Sequence, residues 1–173
     1  APEACGKGIV PTTSTTMTLA LGDALAVALM EHRRFTPEHF RTFHPGGKLG
    51  AQLSRVGDLM HDDMPLVSAN TPMTEALLEI SQKGYGVTGV TGPSGALVGI
   101  ITDGDLRRHM SGLLDRRADE VMTAHPRTIH ADQLAEAALA EMQSRKITCL
   151  FVVDDGLPRG ILHIHDCLRA GLV

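Results

Sequence analysis

The stretch GIITDGDLRRHM, residues 99–110, determines the fold because a close copy of it, GILHIHDCLRAG, occupies residues 160–171. Each copy opens with Gly and apolar residues, places an Asp six positions later (Asp105 and Asp166), and continues with Leu-Arg into a segment typical of a helix. The two aspartates lie 61 residues apart. A motif that recurs at this distance indicates that the chain contains one structural unit twice.

The repeat extends upstream of this stretch and begins at Val56. The segments VGDLM (56–60) and ADEVM (118–122) correspond, as do TEALLEISQ (74–82) and AEAALAEMQ (135–143). Each unit predicts a short leading helix, an extended piece, an amphipathic helix, two strands and a final helix. Because one such unit is too small to bury its sheet alone, we expect two βαββα units packed about a pseudo-twofold axis, which is an α/β fold of the α+β type.

Turn residues separate the two strands of each predicted pair. Gly92-Pro93-Ser94-Gly95 follows GVTGV, and Asp155-Gly156-Leu157-Pro158 follows ITCLFVV. Clusters of Gly, Pro and Asp between apolar runs are typical of tight turns. We therefore expect a β-hairpin at each of these two positions.

Residues 1–55 have a different character. Residues 15–33 predict a helix that is apolar nearly all round, which is typical of a helix buried inside a larger body. Thr36-Pro37-Glu38 supplies the start of a second helix, which we expect to end at His44-Pro45-Gly46-Gly47. Residues 48–55 can form a third. We expect the chain to begin within a domain whose other parts cover the first helix.

The composition argues against nucleic acid as a partner. The formal net charge is -4, and the chain has no Trp and a single Tyr. It therefore offers neither the basic face nor the stacking rings that nucleic-acid-binding proteins use. Cys5, Cys149 and Cys167 lack the spacing of a zinc site and predict reduced thiols.

The most apolar segment, MTLALGDALAVALM at residues 17–30, is short and contains Asp23. On this reasoning we expect no membrane span. Residues 1–8 lack the pattern of a signal peptide. Together these features predict a cytoplasmic protein.

The Gly-to-Asp stretch resembles the signature of CBS domains, which is Gly, two apolar residues, Thr or Ser, two further residues and Asp. Residues 99–105, Gly-Ile-Ile-Thr-Asp-Gly-Asp, match this pattern, and the second copy follows it in register. The resemblance implies a tandem pair, with one CBS domain at residues 56–117 and the other at 118–173. It also implies a ligand of the nucleotide type.

Residues 11–50 resemble the C-terminal end of the sugar-isomerase (SIS) domain of bacterial arabinose 5-phosphate isomerases, so residues 1–55 are expected to be the remnant of such a domain. Those enzymes interconvert D-ribulose 5-phosphate and D-arabinose 5-phosphate for synthesis of the lipopolysaccharide sugar Kdo. The resemblance implies that this chain is the regulatory part of such an isomerase and is inactive alone. The alternative is a nucleotide-sensing module attached to another SIS protein, such as a sugar-phosphate-responsive regulator.

His44 is the one candidate catalytic residue. The resemblance implies that the His of the HPGG segment is part of the isomerase active site. Aldose-ketose isomerisation moves protons through an enediol, a task that suits a neutral imidazole near pH 7. The alternative is a surface histidine at the end of a short helix. The phosphate loop and the other catalytic groups of the family have no counterpart in this chain.

In the first unit, the side chains where the second strand meets the final helix predict a nucleotide-binding site. Thr102 places a hydroxyl beside a helix N-terminus that favours phosphate, and Gly99 lets another group approach the strand. Asp105 provides a carboxylate, which we expect to be free to accept hydrogen bonds from the hydroxyl groups of a ribose. The alternative is that Thr102 and Asp105 only cap the helix. The candidate ligand-binding residues are Thr102, Asp103, Asp105, Arg107, His163 and Asp166.

His163 replaces the hydroxyl in the second copy, which favours two halves of one cleft over two identical sites. CMP-Kdo is the expected ligand because it offers a ribose diol, a phosphate and a carboxylate, and an adenine nucleotide is the alternative. No cofactor is expected to be required for catalysis.

A zinc site at His163 and His165 is the competing interpretation of the second motif. Two histidines two residues apart on a strand point to the same side, with Asp166 and Cys167 nearby. The repeat explains the same residues, so we predict no metal site. We also expect a homodimer or homotetramer, because the apolar first helix would otherwise be exposed and CBS pairs commonly dock face to face.

Overall fold

The structure, a computed structural model, describes residues 2–43, 51 and 53–172. The chain divides into two compact units, residues 1–44 and 45–173. The first unit contains helices α1 (Thr13–His32) and α2 (Pro37–Phe43). Both helices were predicted. Of the predicted helix at residues 48–55, only residues 51 and 53–55 are described. The candidate catalytic residue His44 lies outside the described residues.

Helix α1 exposes its apolar side chains, and none of its residues is buried within the described part of the chain. Its start is held by Glu3, which accepts from the Thr12 backbone N–H at 2.7 Å. With 20 residues, α1 is long and apolar enough to cross a membrane, so length alone does not exclude a span, and the expectation that this segment does not span a membrane stays a prediction. The core helix of a larger soluble body has the same length and composition.

The second unit contains the two repeats, and their elements follow the predicted order. The first repeat comprises α3 (Val56–Leu59), β1 (Leu66–Ser68), α4 (Met73–Lys83), β2 (Val87–Thr91), β3 (Leu97–Thr102), α5 (Asp103–Arg108) and a 3-10 turn (Leu113–Asp115). The second comprises α6 (Ala118–Val121), β4 (Thr123–Ala124), β5 (Thr128–Ile129), α7 (Ala135–Arg145), β6 (Cys149–Asp154), β7 (Leu157–His163) and α8 (Ile164–Arg169). Strand β4 was not predicted.

The strands form two sheets, in the orders β1-β2-β3-β4 and β5-β6-β7. Strands β1 and β5 run parallel to β2 and β6, and the β2–β3 and β6–β7 pairs are the two predicted antiparallel hairpins. The second turn is shorter than predicted. Asp155 and Gly156 alone form it, and both have positive φ, as a type I′ hairpin turn requires. Pro158 lies in β7 beside a bulge.

The segments that follow the two leading helices are exchanged between the repeats. Thr123 of the second repeat pairs with Ile100 in the first sheet, which is why β4 joins that sheet. In the reciprocal position, His61 of the first repeat pairs with Ile161 of β7. The exchange interlocks the two repeats about their pseudo-twofold axis.

The signature glycines make room for this exchange. A Cβ on Gly99 would lie 2.4 Å from Met122 Sδ, and one on Gly160 would lie 2.8 Å from the His61 carbonyl oxygen. A glycine at this position was expected to let another group approach the strand. The group that approaches Gly99 in the structure is Met122, the last residue before β4.

The apolar core follows the same exchange. Val56 of α3 is fully buried among residues of the second repeat, whereas Ala118 and Val121 of α6 are buried in the first. A third cluster, centred on Val87 and Phe151, joins the faces of the two sheets. The domain boundary between residues 117 and 118 stays a prediction, since each repeat buries the leading helix of the other.

Candidate ligand-binding cleft

A cavity of about 650 Å³ lies between the two repeats. Its apolar wall comes from the central strands and includes Val87, Ile100 and Phe151. Its polar wall comes from the segments at the ends of these strands. The polar and charged residues that line it are Tyr85, Thr102, Asp103, Thr123, His125, Arg127, Arg145, Lys146, Thr148 and Cys149.

Thr102 and Asp103, two of the predicted ligand-binding residues, line this cavity where β3 meets α5. Thr102 is the N-cap of α5, and its Oγ1 accepts from the Asp105 backbone N–H at 3.4 Å. The same hydroxyl donates to Asp105 Oδ2 at 2.6 Å. The capping interpretation of this pair is therefore correct, and Thr102 also faces the cavity.

Asp105 is 1% exposed, and four donors surround its carboxylate. The Thr102 backbone N–H donates at 2.9 Å, the Thr102 hydroxyl at 2.6 Å and the Thr123 hydroxyl at 2.7 Å, while the Arg108 guanidinium forms an ion pair. Burial opposes ionisation, yet these donors together hold the pKa of Asp105 below its ordinary value. The expectation that this carboxylate is free does not hold in the structure, and its role in ligand binding stays a prediction.

Asp166 repeats this arrangement with different partners. Its carboxylate accepts from the His163 backbone N–H at 3.0 Å and from His61 Nε2 at 3.1 Å, and it pairs with the Arg169 guanidinium. Burial opposes ionisation here too, and the hydrogen bonds from His61 and Arg169 lower the pKa of Asp166. Both signature aspartates are thus capping groups that also hold the exchanged segment of the other repeat.

His163 caps α8 through its ring, because its Nδ1 accepts from the His165 backbone N–H at 3.2 Å. Burial, reinforced by nearby His165, lowers the pKa of His163. His165 lies in α8 and not on the strand, so the reasoning that placed both histidines on one strand face is wrong. Within residues 2–43, 51 and 53–172, no group of three His, Cys, Asp or Glu side chains has the arrangement of a metal site.

Arg107 is exposed on α5 and its Nε donates to the Asp103 carbonyl oxygen at 3.3 Å. It does not line the described cavity. The cations that do line it are Arg127, Arg145 and Lys146, which the sequence reasoning missed. Arg145 pairs with Glu141, whereas Arg127 and Lys146 form no ion pair with any described residue.

The repeat itself carried the signal for some of the missed residues. Aligning VGDLMHDDMP with ADEVMTAHPR places His61 opposite Thr123, and Asp63 opposite His125. His125, which was assigned no role from sequence, lines the cavity. Cys149 lines it as well, and burial raises the pKa of its thiol to about 11.

Known proteins share both the sequence and the fold. The family model for the CBS domain matches residues 56–112 and 118–173. The chain is 49% identical to the arabinose 5-phosphate isomerase KdsD of Pseudomonas aeruginosa, over 99% of this chain and 55% of that protein. It is 46% identical to KdsD of Escherichia coli, over 100% of this chain and 55% of that protein. The chain spans about half the length of the curated relatives it matches.

Two solved structures illustrate the fold. CBSX2 in complex with AMP has a TM-score of 0.60 at 27% identity, covering 69% of this chain and 96% of that chain. An uncharacterized conserved protein from Pyrococcus horikoshii has a TM-score of 0.61 at 23% identity, covering 69% and 93%. With its two matched segments and its reciprocally exchanged repeats, the chain belongs to the CBS domain family, of which it carries a tandem pair.

Proposed function

We propose that this CBS pair binds an anionic nucleotide or nucleotide-sugar in the cleft between its repeats and thereby regulates an arabinose 5-phosphate isomerase of which it is a part. The main support for the ligand proposal is that cations and apolar side chains line the same cavity. Arg127 and Lys146, two cations without a described ionic partner, line the same cavity as the apolar side chains of Val87, Ile100 and Phe151.

Each part of this lining suits a part of a nucleotide. Apolar side chains favour a base, whereas unpaired guanidinium and ammonium groups favour a phosphate. A volume of about 650 Å³ lies within the usual range of small-molecule sites. The AMP complex of CBSX2, a relative in fold at 27% identity, supports the same ligand class.

CMP-Kdo is the specific ligand we propose, and an adenine nucleotide is the alternative. A pathway enzyme gains most from sensing a late product. CMP-Kdo also carries a sugar carboxylate, for which the cavity offers a second cation without a described acidic partner. The exposed Asp103 carboxylate at the rim is available to accept hydrogen bonds from ligand hydroxyl groups.

The melting temperature of the chain tests this ligand choice. CMP-Kdo should raise it more than AMP or ATP does at equal concentration, because a ligand that binds only the folded state stabilises it. Equal shifts from all three compounds would contradict the preference for CMP-Kdo. No shift from any of them would contradict nucleotide binding altogether.

The isomerase proposal rests on the two KdsD relatives, whose names give the activity and which match essentially the whole chain. On this proposal residues 1–55 belong to the SIS domain, His44 belongs to its active site, and no cofactor is required. The chain alone should not convert ribulose 5-phosphate, because most of the catalytic groups are absent from it. In the intact enzyme, His44→Ala should lower turnover by about 100-fold or more, and unchanged turnover would contradict the role of His44.

Self-association is part of the same proposal. Leu19, Leu25 and Leu29 of α1 are all more than half exposed, which favours a homodimer or homotetramer. Light scattering at micromolar concentration should give the mass of a dimer or tetramer. A monodisperse monomer would contradict this, and a chain truncated at Arg55 should retain only the association that the CBS pair itself provides.

A further inference from the structure

The two halves of the cleft are related by the repeat but differ in chemistry. We infer that the chain binds one anionic ligand, in the half around Thr102, and that the half around His163 is closed to a second ligand. This inference rests on the proposed ligand binding and adds its stoichiometry and the residues that set it.

The backbone establishes which residues correspond. Val87 pairs with Thr102 in the first sheet, and Cys149 pairs with His163 at the same register in the second. The residues just after α4 and α7, Gly84 and Lys146, both adopt the left-handed conformation. We call Thr102, Gly104, Thr123, His125 and Arg127 the open half. Their counterparts His163, His165, His61, Asp63 and Pro65 form the closed half.

The charges of the two halves differ. The open half is bordered by Arg127, Arg145 and Lys146, of which only Arg145 has a described acidic partner. Helices α4 (Met73–Lys83) and α7 (Ala135–Arg145) have equal lengths and correspond end to end, one residue out of the register predicted from the sequence. The counterparts of the three cations in the closed half are therefore Pro65, Lys83 and Gly84. A phosphate in the open half therefore meets three cations beside one carboxylate, that of Asp103, and two of these cations have no described acidic partner. The closed half offers one cation, Lys83, which is paired with Asp63.

Aromatic rings also occupy the closed half. The Tyr85 ring centroid lies 6.2 Å from that of His61 and 6.3 Å from that of His163, and the His163 and His165 centroids are 4.6 Å apart. The counterparts of these four ring-bearing residues are Ile147, Thr123, Thr102 and Gly104. Of these four rings only that of Tyr85 lines the cavity, and His61, His163 and His165 lie outside its lining.

Calorimetric titration with AMP and, separately, with CMP-Kdo tests the inference through a reciprocal pair of substitutions. The wild-type chain should bind one equivalent of the preferred compound. Gly104→His copies the closed half into the open one. Position 104 can accept a side chain, because a Cβ there makes only ordinary contacts at 3.5 Å. This variant should bind at least about tenfold more weakly.

The matched control is His165→Gly, which removes an exposed ring from the closed half and should change affinity by less than about twofold. A thermal melt of each variant establishes that it is folded. Two equivalents bound by the wild-type chain, or unchanged binding by folded Gly104→His, would overturn the inference while leaving ligand binding intact. The absence of any binding to either compound by the wild-type chain would overturn the proposed function as well.

Discussion

The Thr123 hydroxyl donates to Asp105 Oδ1 over 2.7 Å, although the two residues belong to different repeats. The reciprocal contact joins His61 Nε2 to Asp166 Oδ1 over 3.1 Å. Each signature aspartate therefore caps its own final helix and also holds the exchanged segment of the other repeat. The Gly-to-Asp motif therefore connects the two repeats, and it lies directly beside the cleft.

Removing the Thr123 hydroxyl should weaken this connection between the repeats. Thr123→Val leaves the buried Asp105 carboxylate without one of its donors, so we expect a loss of about 1 to 3 kcal/mol in the free energy of unfolding. Urea unfolding measures the change. Thr128→Val, at an exposed position of β5, makes the same substitution without that contact and serves as the control. An equal effect of the two substitutions would contradict the structural role of Thr123.

Acid should destabilise the CBS pair through the two signature aspartates. The folded chain lowers the pKa of Asp105 and of Asp166, so their stabilisation is fully present above the ordinary pKa of about 3.9. It is lost as the pH falls through the lower folded values, because the unfolded chain then binds more protons. Urea unfolding between pH 6 and pH 2 measures the decline. The decline should be shallower in Asp105→Asn than in Asp62→Asn, an exposed control, and identical slopes would contradict this account.

The glycine of the second motif should tolerate no side chain. In Gly160→Ala the new Cβ would lie 2.8 Å from a backbone oxygen, that of His61, so the exchanged segment must move. We expect a loss of about 1 to 3 kcal/mol in the free energy of unfolding. Gly104→Ala, where the nearest atoms are side-chain atoms of Arg108 and Thr102 at 3.5 Å, should be neutral or slightly stabilising. Equal free energies of unfolding for the two variants would show that the close approach at Gly160 does not affect stability.

The cysteines should differ in reactivity. Burial raises the pKa of Cys149 to about 11, whereas Cys5 is exposed. Since the thiolate is the reactive form, Cys149 in the folded chain should be alkylated by iodoacetamide at pH 8 at least about 100-fold more slowly than Cys5. Mass spectrometry of timed samples measures both rates, and urea should bring them together. Rapid labelling of Cys149 in the folded chain would contradict the raised pKa of its thiol.

The sequence predicted the repeat, the order of its elements and the two hairpins, because apolar periodicity and turn residues are local signals. It did not predict β4, since two residues that pair with a distant strand carry no local strand pattern. The role of Asp105 was ambiguous for a related reason. The same Thr-Asp spacing fits both a ligand grip and a helix cap, and only the distance to Thr123 reveals how fully the carboxylate is satisfied.

The cations of the cleft escaped prediction because they lie outside the signature motif. Lys146 follows α7 in a left-handed conformation, and Arg127 precedes β5. Neither position has a cation at its counterpart in the first repeat, where Gly84 and Pro65 stand. Comparing the repeats for their differences, and not only for their similarities, would have drawn attention to both residues.

The most direct test of the central claim is the affinity of the cleft for CMP-Kdo when Arg127 and Lys146, its two cations without a described acidic partner, are removed. Calorimetry should show that the double variant Arg127→Ala, Lys146→Ala binds at least about tenfold more weakly than the wild-type chain. Arg159→Ala removes an exposed cation of β7 that does not line this cavity, and it should bind within about twofold of wild type. Unchanged affinity in the folded double variant would contradict the assignment of the cleft as an anion-binding site.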